Sequence, residues 1–344
     1  MQSMIVDLRS DTLTRPTPGM LEAMFTAEVG DDVYGEDPSI NALQEKAAAL
    51  FNMEAALFCT SGTMANQIAI RISTQPQDQV ICDKKAHIYL YEGGGIAANS
   101  LVSTRLVDGD RGRISPRQVL ENINPDDQHF PRTTLVSLEN TSNKGGGSYY
   151  TLEQIAAISE VCKTHGLRLH LDGARVFNAL VATGESARDY GQYFDTISFC
   201  LSKGLGTPVG SMLLGSKADI RQALRVRKMM GGGMRQAGFL AAAGIYALDH
   251  HIDRLAEDHR RARVLAAAIQ AHPGVTDAMP VETNILAFKP DPFWKEEIAL
   301  RDELAEKGIR ASIFGGGYLR FVTHLDITDG MIDYVIETFR QLPG

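Results

Sequence analysis

The feature that most constrains this chain is a regular alternation, through its middle, of short apolar β-rich runs with helical stretches. The run 55–59 (AALFC) is followed by a helical signal over 63–73. Runs at 79–83, 101–107 and 134–138 are short, β-rich and separated by turn residues. Thr151 is placed to cap a helix over 152–165, with Ile155, Ile158 and Cys162 at helical spacing and Gly166 to stop it. Leu167, Leu169 and Leu171 then alternate in a strand ending at Asp172, and two more strands follow at 196–201 and 209–214. This spacing predicts an α/β fold, a mostly parallel sheet covered by helices on both faces. Such sheets bind ligands at the carboxyl ends of their strands, in the loops that enter the helices.

After about residue 250 the character changes. A charged, Ala-rich helix over 253–271 ends at Pro273-Gly274. A compact pattern follows: strand 284–288, helix 295–307, strands 309–313 and 318–322, helix 329–342. With 344 residues the chain is long enough for two units. We expect a large domain over 1–250 and a smaller α/β domain over 251–344, with the N-terminal segment able to pack on either. The formal charge of −8 argues against nucleic acid or an anionic membrane surface as partner. Residues 1–10 do not read as a secretory leader, and no window has the ~20 apolar residues of a membrane span. Cys59, Cys82, Cys162 and Cys200 fall in apolar stretches without CxxC spacing, as expected of reduced thiols in a cytoplasmic protein.

Four features fall at expected strand ends or in glycine-rich loops. Thr60-Ser61-Gly62-Thr63 is a small polar turn opening a helix, where backbone N–H groups can take a phosphate. Ordinary strand-to-helix turns use the same residues. Asp172 ends a strand and is followed by Arg175, an acid for a protonated ring nitrogen and a fork for a carboxylate, or else an N-cap and a surface arginine. Lys203 ends a buried strand ahead of Gly204 and Gly206. Desolvation there makes an amine nucleophilic, as Schiff-base chemistry requires, although a lone lysine more often snorkels to solvent. Lys228, the Gly231–Gly233 run and Arg235 form an anion clamp or a hinge. Together the turn, the acid and the lysine provide three separated points for the phosphate, ring nitrogen and aldehyde of pyridoxal 5′-phosphate.

In this setting the chain resembles the L-threonine aldolases. The resemblance is carried by Asp7-Leu8-Arg9-Ser10-Asp11-Thr12, Gly30-Asp31-Asp32-Val33-Tyr34-Gly35, the run Lys203–Gly210 (KGLGTPVG), Gly231–Gly238 (GGGMRQAG) and Val322-Thr323-His324-Leu325-Asp326. It runs in register from about Asp7 to Asp326. It implies the aspartate-aminotransferase-like fold (fold type I), active sites at subunit interfaces, and a homo-oligomer, a tetramer built as a dimer of dimers. It further implies that Lys203 carries the cofactor, Asp172 pairs with the pyridine nitrogen and His87 stacks on the ring. Ser61, Gly62 and Thr63 would cradle the phosphate, with Lys228 and Arg235 adding charge. Ser10, Arg175 and Arg320 would hold the substrate carboxylate, and Tyr34 would reach a partner's site. The expected reaction is cleavage of a β-hydroxy-α-amino acid to glycine and an aldehyde. His87, His129 and a bound water all stand as the base for the β-hydroxyl, since imidazole titrates near neutrality. Many bacterial members have histidine where this chain has Ser142, which leaves the fine substrate preference open. No metal ligand cluster stands out.

An aminotransferase needs the same Lys203, Asp172 and carboxylate arginine, so composition does not separate it from an aldolase. A non-catalytic binding module would keep the pocket without turnover. Nucleotide binding finds no support, with neither GxGxxG after the first strand nor GxxxxGK[ST] present.

Overall fold

Successive residues of a strand point to opposite faces, and in the central sheet both faces are covered. The computed structural model describes residues 4–343. Its strands are β1 (Val6–Asp7), β2 (Ala55–Cys59), β3 (Gln79–Asp83), β4 (Ser103–Val107), β5 (Thr133–Glu139), β6 (Arg168–Asp172), β7 (Thr196–Cys200) and β8 (Ser211–Gly215). They continue with β9 (Val275–Ala278), β10 (Ile285–Pro290), β11 (Ile309–Arg310), β12 (Ser312–Gly315) and β13 (Tyr318–Val322). Seven of them form a sheet in the order β2-β8-β7-β6-β5-β3-β4, and only β8 runs against its neighbours.

On one face Phe58, Ile81, Val136, Leu169, Ile197 and Met212 pack against helices Pro38–Leu50, Leu152–Thr164 and Gly238–His250. On the other, Leu57, Cys59 and Leu213 pack against helices Gly62–Ser73 and Lys217–Met229, while Val80, Cys82 and Leu135 meet Ile88 and Ile96. Burial on both faces is why the strands read as continuous apolar runs rather than alternating ones. Each fully buried Leu or Ile contributes about 1.5–3 kcal/mol over an exposed one.

The arrangement is the α/β fold that the strand–helix alternation predicts, a mostly parallel sheet with helices on both faces. The remaining differences are local. The strand expected from residue 101 begins at Ser103, because Leu101 adopts φ +59 to close the helix Gly95–Ser100. The strand expected over 309–313 is two: β11 pairs with β1 in parallel, while β12 pairs with β13. A second core lies in the C-terminal part, where Leu286, Phe288, Phe321 and Phe339 pack together. Val6 and Leu8 sit in this second core, so by packing the opening strand belongs with the end of the chain. The helix Leu255–Gln270 joins the two cores, placing Leu255 in the first and Leu265 and Ile269 in the second. No described helix is long and apolar enough to cross a membrane.

Candidate active site

A cavity of about 350 Å³ at the carboxyl end of the sheet brings together Ser10, His87, Arg175, Lys203 and Arg320, which are far apart in sequence. Lys203 follows β7 by three residues, and its carbonyl accepts a hydrogen bond from Thr14 Oγ1 at 3.0 Å. Its Nζ makes no hydrogen bond or ion pair with a described residue. An amine in a cavity without an anionic partner is suited to a covalent role.

Asp172, the last residue of β6, is buried. Its Oδ2 accepts from Asn66 Nδ2 at 2.9 Å and its Oδ1 from the Ala174 N–H at 3.1 Å. Asn66 lies one turn into the helix that starts at Gly62, and its Nδ2 also donates to Glu92 Oε1 at 2.9 Å. Gln67 donates to Glu92 Oε2 at 2.6 Å, and His87 Nδ1 lies 3.0 Å from Glu92 Oε1. Burial works against charge on His87. The Glu92 hydrogen bond and the charge of Asp172 outweigh it and raise its pKa. Behind this group the fully buried Glu139 accepts from the backbone N–H groups of His87 and Asn143, both at 2.8 Å. Burial, with the charge of Asp172, pushes Glu139 up to about 7. His87, Glu92 and Asp172 offer ligand atoms within 4.8 Å of one another, the spacing of a cation site. The donors from Asn66 and Gln67 already engage both carboxylates.

The two arginines are held differently. Arg175 forms a buried two-point pair with Asp11, through Nε and Nη2 at 2.7 Å each, leaving Nη1 without a described partner. Burial opposes ionisation of Asp11, but the charge and hydrogen bonds of Arg175 hold its carboxyl well below the usual range. Arg320 donates to Asn143 Oδ1 at 2.7 Å and to the Arg9 carbonyl at 2.9 Å, while its Nε is buried with no partner. Burial and the nearby Arg175 charge bring Arg320 down to about 10. Two guanidinium groups with unspent donors in one cavity call for an anion between them. Ser10 caps the turn at Asp11–Leu13 beside them, accepting from the Thr12 N–H at 3.2 Å.

Ser61 caps the helix Gly62–Ser73 through the Met64 N–H at 3.1 Å. The N–H groups of Gly62 and Thr63 find no acceptor among the described residues. A Cβ at Gly62 would fall 2.8 Å from Cys200 Sγ, so glycine lets this turn sit against the end of β7. Gly232 lies against Met64 in the same way, which docks the glycine-rich loop on the first turn of that helix. Lys228 is exposed there, and Arg235, also exposed, pairs with Asp31 at 2.9 Å. Tyr34 is 75% exposed and does not line this chain's cavity.

His129 is not brought to the cavity. It precedes β5, with Nδ1 2.7 Å from Asp127 Oδ1 and its side chain 76% exposed. Its neighbours, Gln75 to Asp78, precede β3, so it lies at the amino end of the sheet. The length of β5 separates it from Glu139, roughly 20 Å at 3.3 Å per residue. A role at a substrate hydroxyl would therefore fall in a neighbouring copy and not in its own. Sequence reasoning missed Asp11, Asn66, Glu92, Glu139 and Asn143. Asp11 was in view within the Asp7–Thr12 motif and Glu139 and Asn143 within the segment around Ser142, while Asn66 and Glu92 had no local signal.

The chain matches the beta-eliminating lyase family over residues 7–291. It is 45% identical over 325 residues to the low specificity L-threonine aldolase of Escherichia coli (strain K12), covering 94% of this chain and 95% of that one. It is 39% identical over 342 residues to low-specificity L-threonine aldolase 1 of Arabidopsis thaliana, covering 98% and 96%. In fold it is similar to the Leishmania major threonine aldolase, with a TM-score of 0.84 at 22% identity over 98% of this chain and 99% of that one. Across almost all of its length the chain belongs to the beta-eliminating lyase family and, within it, to the L-threonine aldolases.

Proposed function

We propose that this chain binds pyridoxal 5′-phosphate and cleaves β-hydroxy-α-amino acids, threonine and allo-threonine among them, to glycine and an aldehyde. The observation that carries this reading is Lys203, whose Nζ has no partner among the described residues, in one cavity with Arg175 and Arg320, whose Nη1 and Nε respectively have none there either. The surrounding residues fit the cofactor. Lys203 would take its aldehyde, the buried Asp172 its ring nitrogen, and the free N–H groups of Gly62 and Thr63 with Ser61 its phosphate. When bound, the cofactor supplies an electron sink for the pair left on Cα as a bond to it breaks.

The chain's own residues select that bond. Arg175, Arg320 and Ser10 hold the α-carboxylate, which fixes rotation about Cα and presents the Cα–Cβ bond for cleavage. Asp172, held by Asn66 and the Ala174 N–H, would set its carboxyl group against the ring nitrogen. With Nδ1–H donated to Glu92, the Nε2 of His87 is the nitrogen free to take the β-hydroxyl proton. A bound water, or His129 of another copy, would do the same work. We read Tyr34, Lys228 and Arg235 as completing the site across a subunit interface in a cytoplasmic homo-oligomer, a tetramer by resemblance.

The test is aldehyde release by purified, cofactor-loaded protein given L-threonine and L-allo-threonine separately. Release from either, lost in Lys203→Ala together with the visible absorbance of the bound cofactor, is the expected result. Transfer of the amino group to a keto acid without aldehyde would establish an aminotransferase. Cofactor binding with neither activity would establish a binding module.

A further inference from the structure

The loop that follows β5 carries a cation that the reaction above does not use. Lys144 lines the same cavity as Lys203, Arg175 and Arg320. Its Nζ donates to the Phe314 carbonyl and stands 4.5 Å from the centroid of the Phe314 ring and 5.7 Å from that of Tyr91. No described carboxylate pairs with it. Aromatic faces and a carbonyl stabilise an ammonium group but leave its charge uncompensated.

The other cations of the cavity are committed. Arg175 is neutralised by Asp11, Arg320 and Arg175 together face the α-carboxylate, and Lys203 holds the cofactor. Lys144 adjoins Asn143, whose Oδ1 takes the hydrogen bond from Arg320 Nη1, so it stands next to the carboxylate clamp without belonging to it. Phe314 is presented by the β12–β13 hairpin, whose turn Gly315-Gly316-Gly317 has positive φ at all three residues and places no side chain over the lysine. A Cβ built at Gly315 would have Lys144 Nζ, at 3.9 Å, as its nearest neighbour. The space beside the ammonium is therefore open.

We propose that Lys144 forms a subsite for an anionic substituent on Cβ, so that β-hydroxy-α-amino acids bearing a carboxylate at that carbon are favoured substrates. The inference rests on the Cα–Cβ cleavage reading. For 3-hydroxyaspartate the hydroxyl loses its proton, the Cα–Cβ bond breaks, and the Cβ–O bond becomes the carbonyl of glyoxylate. Cα takes up one proton to give glycine, and no further reactant is needed. The α-carboxylate sits on Arg175 and Arg320 and the β-carboxylate on Lys144.

The experiment compares kcat/KM for L-3-hydroxyaspartate and L-threonine in the cofactor-loaded protein, in Lys144→Met and in Lys144→Arg. Methionine keeps the apolar stem against Phe314 and removes the charge, whereas arginine keeps the charge. The ratio of hydroxyaspartate to threonine should fall about ten- to a hundredfold in Lys144→Met, chiefly through KM, as loss of one charge-assisted contact implies. In Lys144→Arg it should stay near the parent value. Lys144→Gln serves the same purpose if methionine prevents folding. An equal loss on both substrates would assign the lysine to the hairpin or to the α-carboxylate and overturn the subsite, as would an unchanged ratio. Threonine cleavage with no such response sinks the subsite alone. Absence of aldehyde from either substrate in the parent protein sinks the cleavage reading with it.

Discussion

The end of this site proposed for the cofactor ring and the end proposed for its phosphate are built on opposite plans. At the ring end Asp172, Glu92 and Glu139 are buried, and each of their six carboxylate oxygens accepts at least one hydrogen bond from Asn66, Gln67, His87, Asn143 or a backbone N–H. At the phosphate end Ser61, Lys228, Arg235 and Tyr34 are all exposed, and the N–H groups of Gly62 and Thr63 have no acceptor among the described residues. The first wall is complete within one chain and fixed before any ligand arrives, which is what electrostatic preorganisation requires. The second is held by local contacts, Arg235 to Asp31 and Ser61 to the Met64 N–H, but stays exposed, which fits the reading that ligand and a second subunit complete it.

The largest effect separating the two ends should come from Asp172→Asn. Removing a preorganised charge that the reaction depends on should lower kcat about 10²–10³-fold. Excess cofactor should not restore it. If it did, the ring end would be a binding device like the other, and the contrast would fail. Arg235→Ala should act in the reverse manner. It should weaken cofactor affinity about tenfold, the worth of one charged hydrogen bond, with turnover recovering at saturating cofactor. Titrating cofactor at two protein concentrations would also show whether the loss deepens on dilution, as a site shared between subunits requires.

How far the sequence exposed each end follows from the range of the contacts. Lys203, Asp172 and the Ser61–Thr63 turn were legible because a sheet of this type puts its chemistry at strand ends. His87, Ser10 and Arg320 were legible through the family resemblance. Asn66 was not, since it looks like any polar residue in a helix, and its partners Glu92 and Asp172 lie 26 and 106 residues away. The Arg175–Asp11 pair spans 164 residues, so the sequence showed a carboxylate fork but not that most of it is already occupied. His129 lies away from its own chain's cavity, because a position in the sequence does not tell which end of a strand, or which copy, a loop serves.

A smaller effect should follow from Glu92→Gln. Burial disfavours charge on His87, and the Glu92 hydrogen bond is the foremost contribution that reverses this. The variant should therefore move the His87 limb of the pH–rate profile to lower pH and reduce kcat a few-fold, with cofactor affinity little changed. A profile that stays in place would show that His87 is not the group being titrated.

The last effect falls on stability and leaves turnover aside, and it concerns what the ring-end wall costs the fold. Glu139 titrates at about 7 in the folded chain against an ordinary 4.5, because burial and then the charge of Asp172 disfavour its ionised form. With the folded value raised, the folded chain keeps a proton that the unfolded chain has released. The associated stability is fully present below pH 4.5 and is lost as the pH rises through about 7. Glu139→Gln removes the titration but sets an amide NH2, which cannot accept, against the second N–H, a penalty independent of pH. Urea melts at pH 4.5 and 7.5 should show the variant less stable than the parent at the lower value. Between the two values the variant should gain on the parent by at most about 3 kcal/mol. A constant difference would mean that Glu139 titrates alike folded and unfolded and is ionised at neutral pH, with the His87 and Asn143 N–H groups offsetting its burial. The three carboxylates would then form one fully charged wall, and the opposition between a costly, finished end and an open, unfinished one would be larger than the folded geometry alone implies.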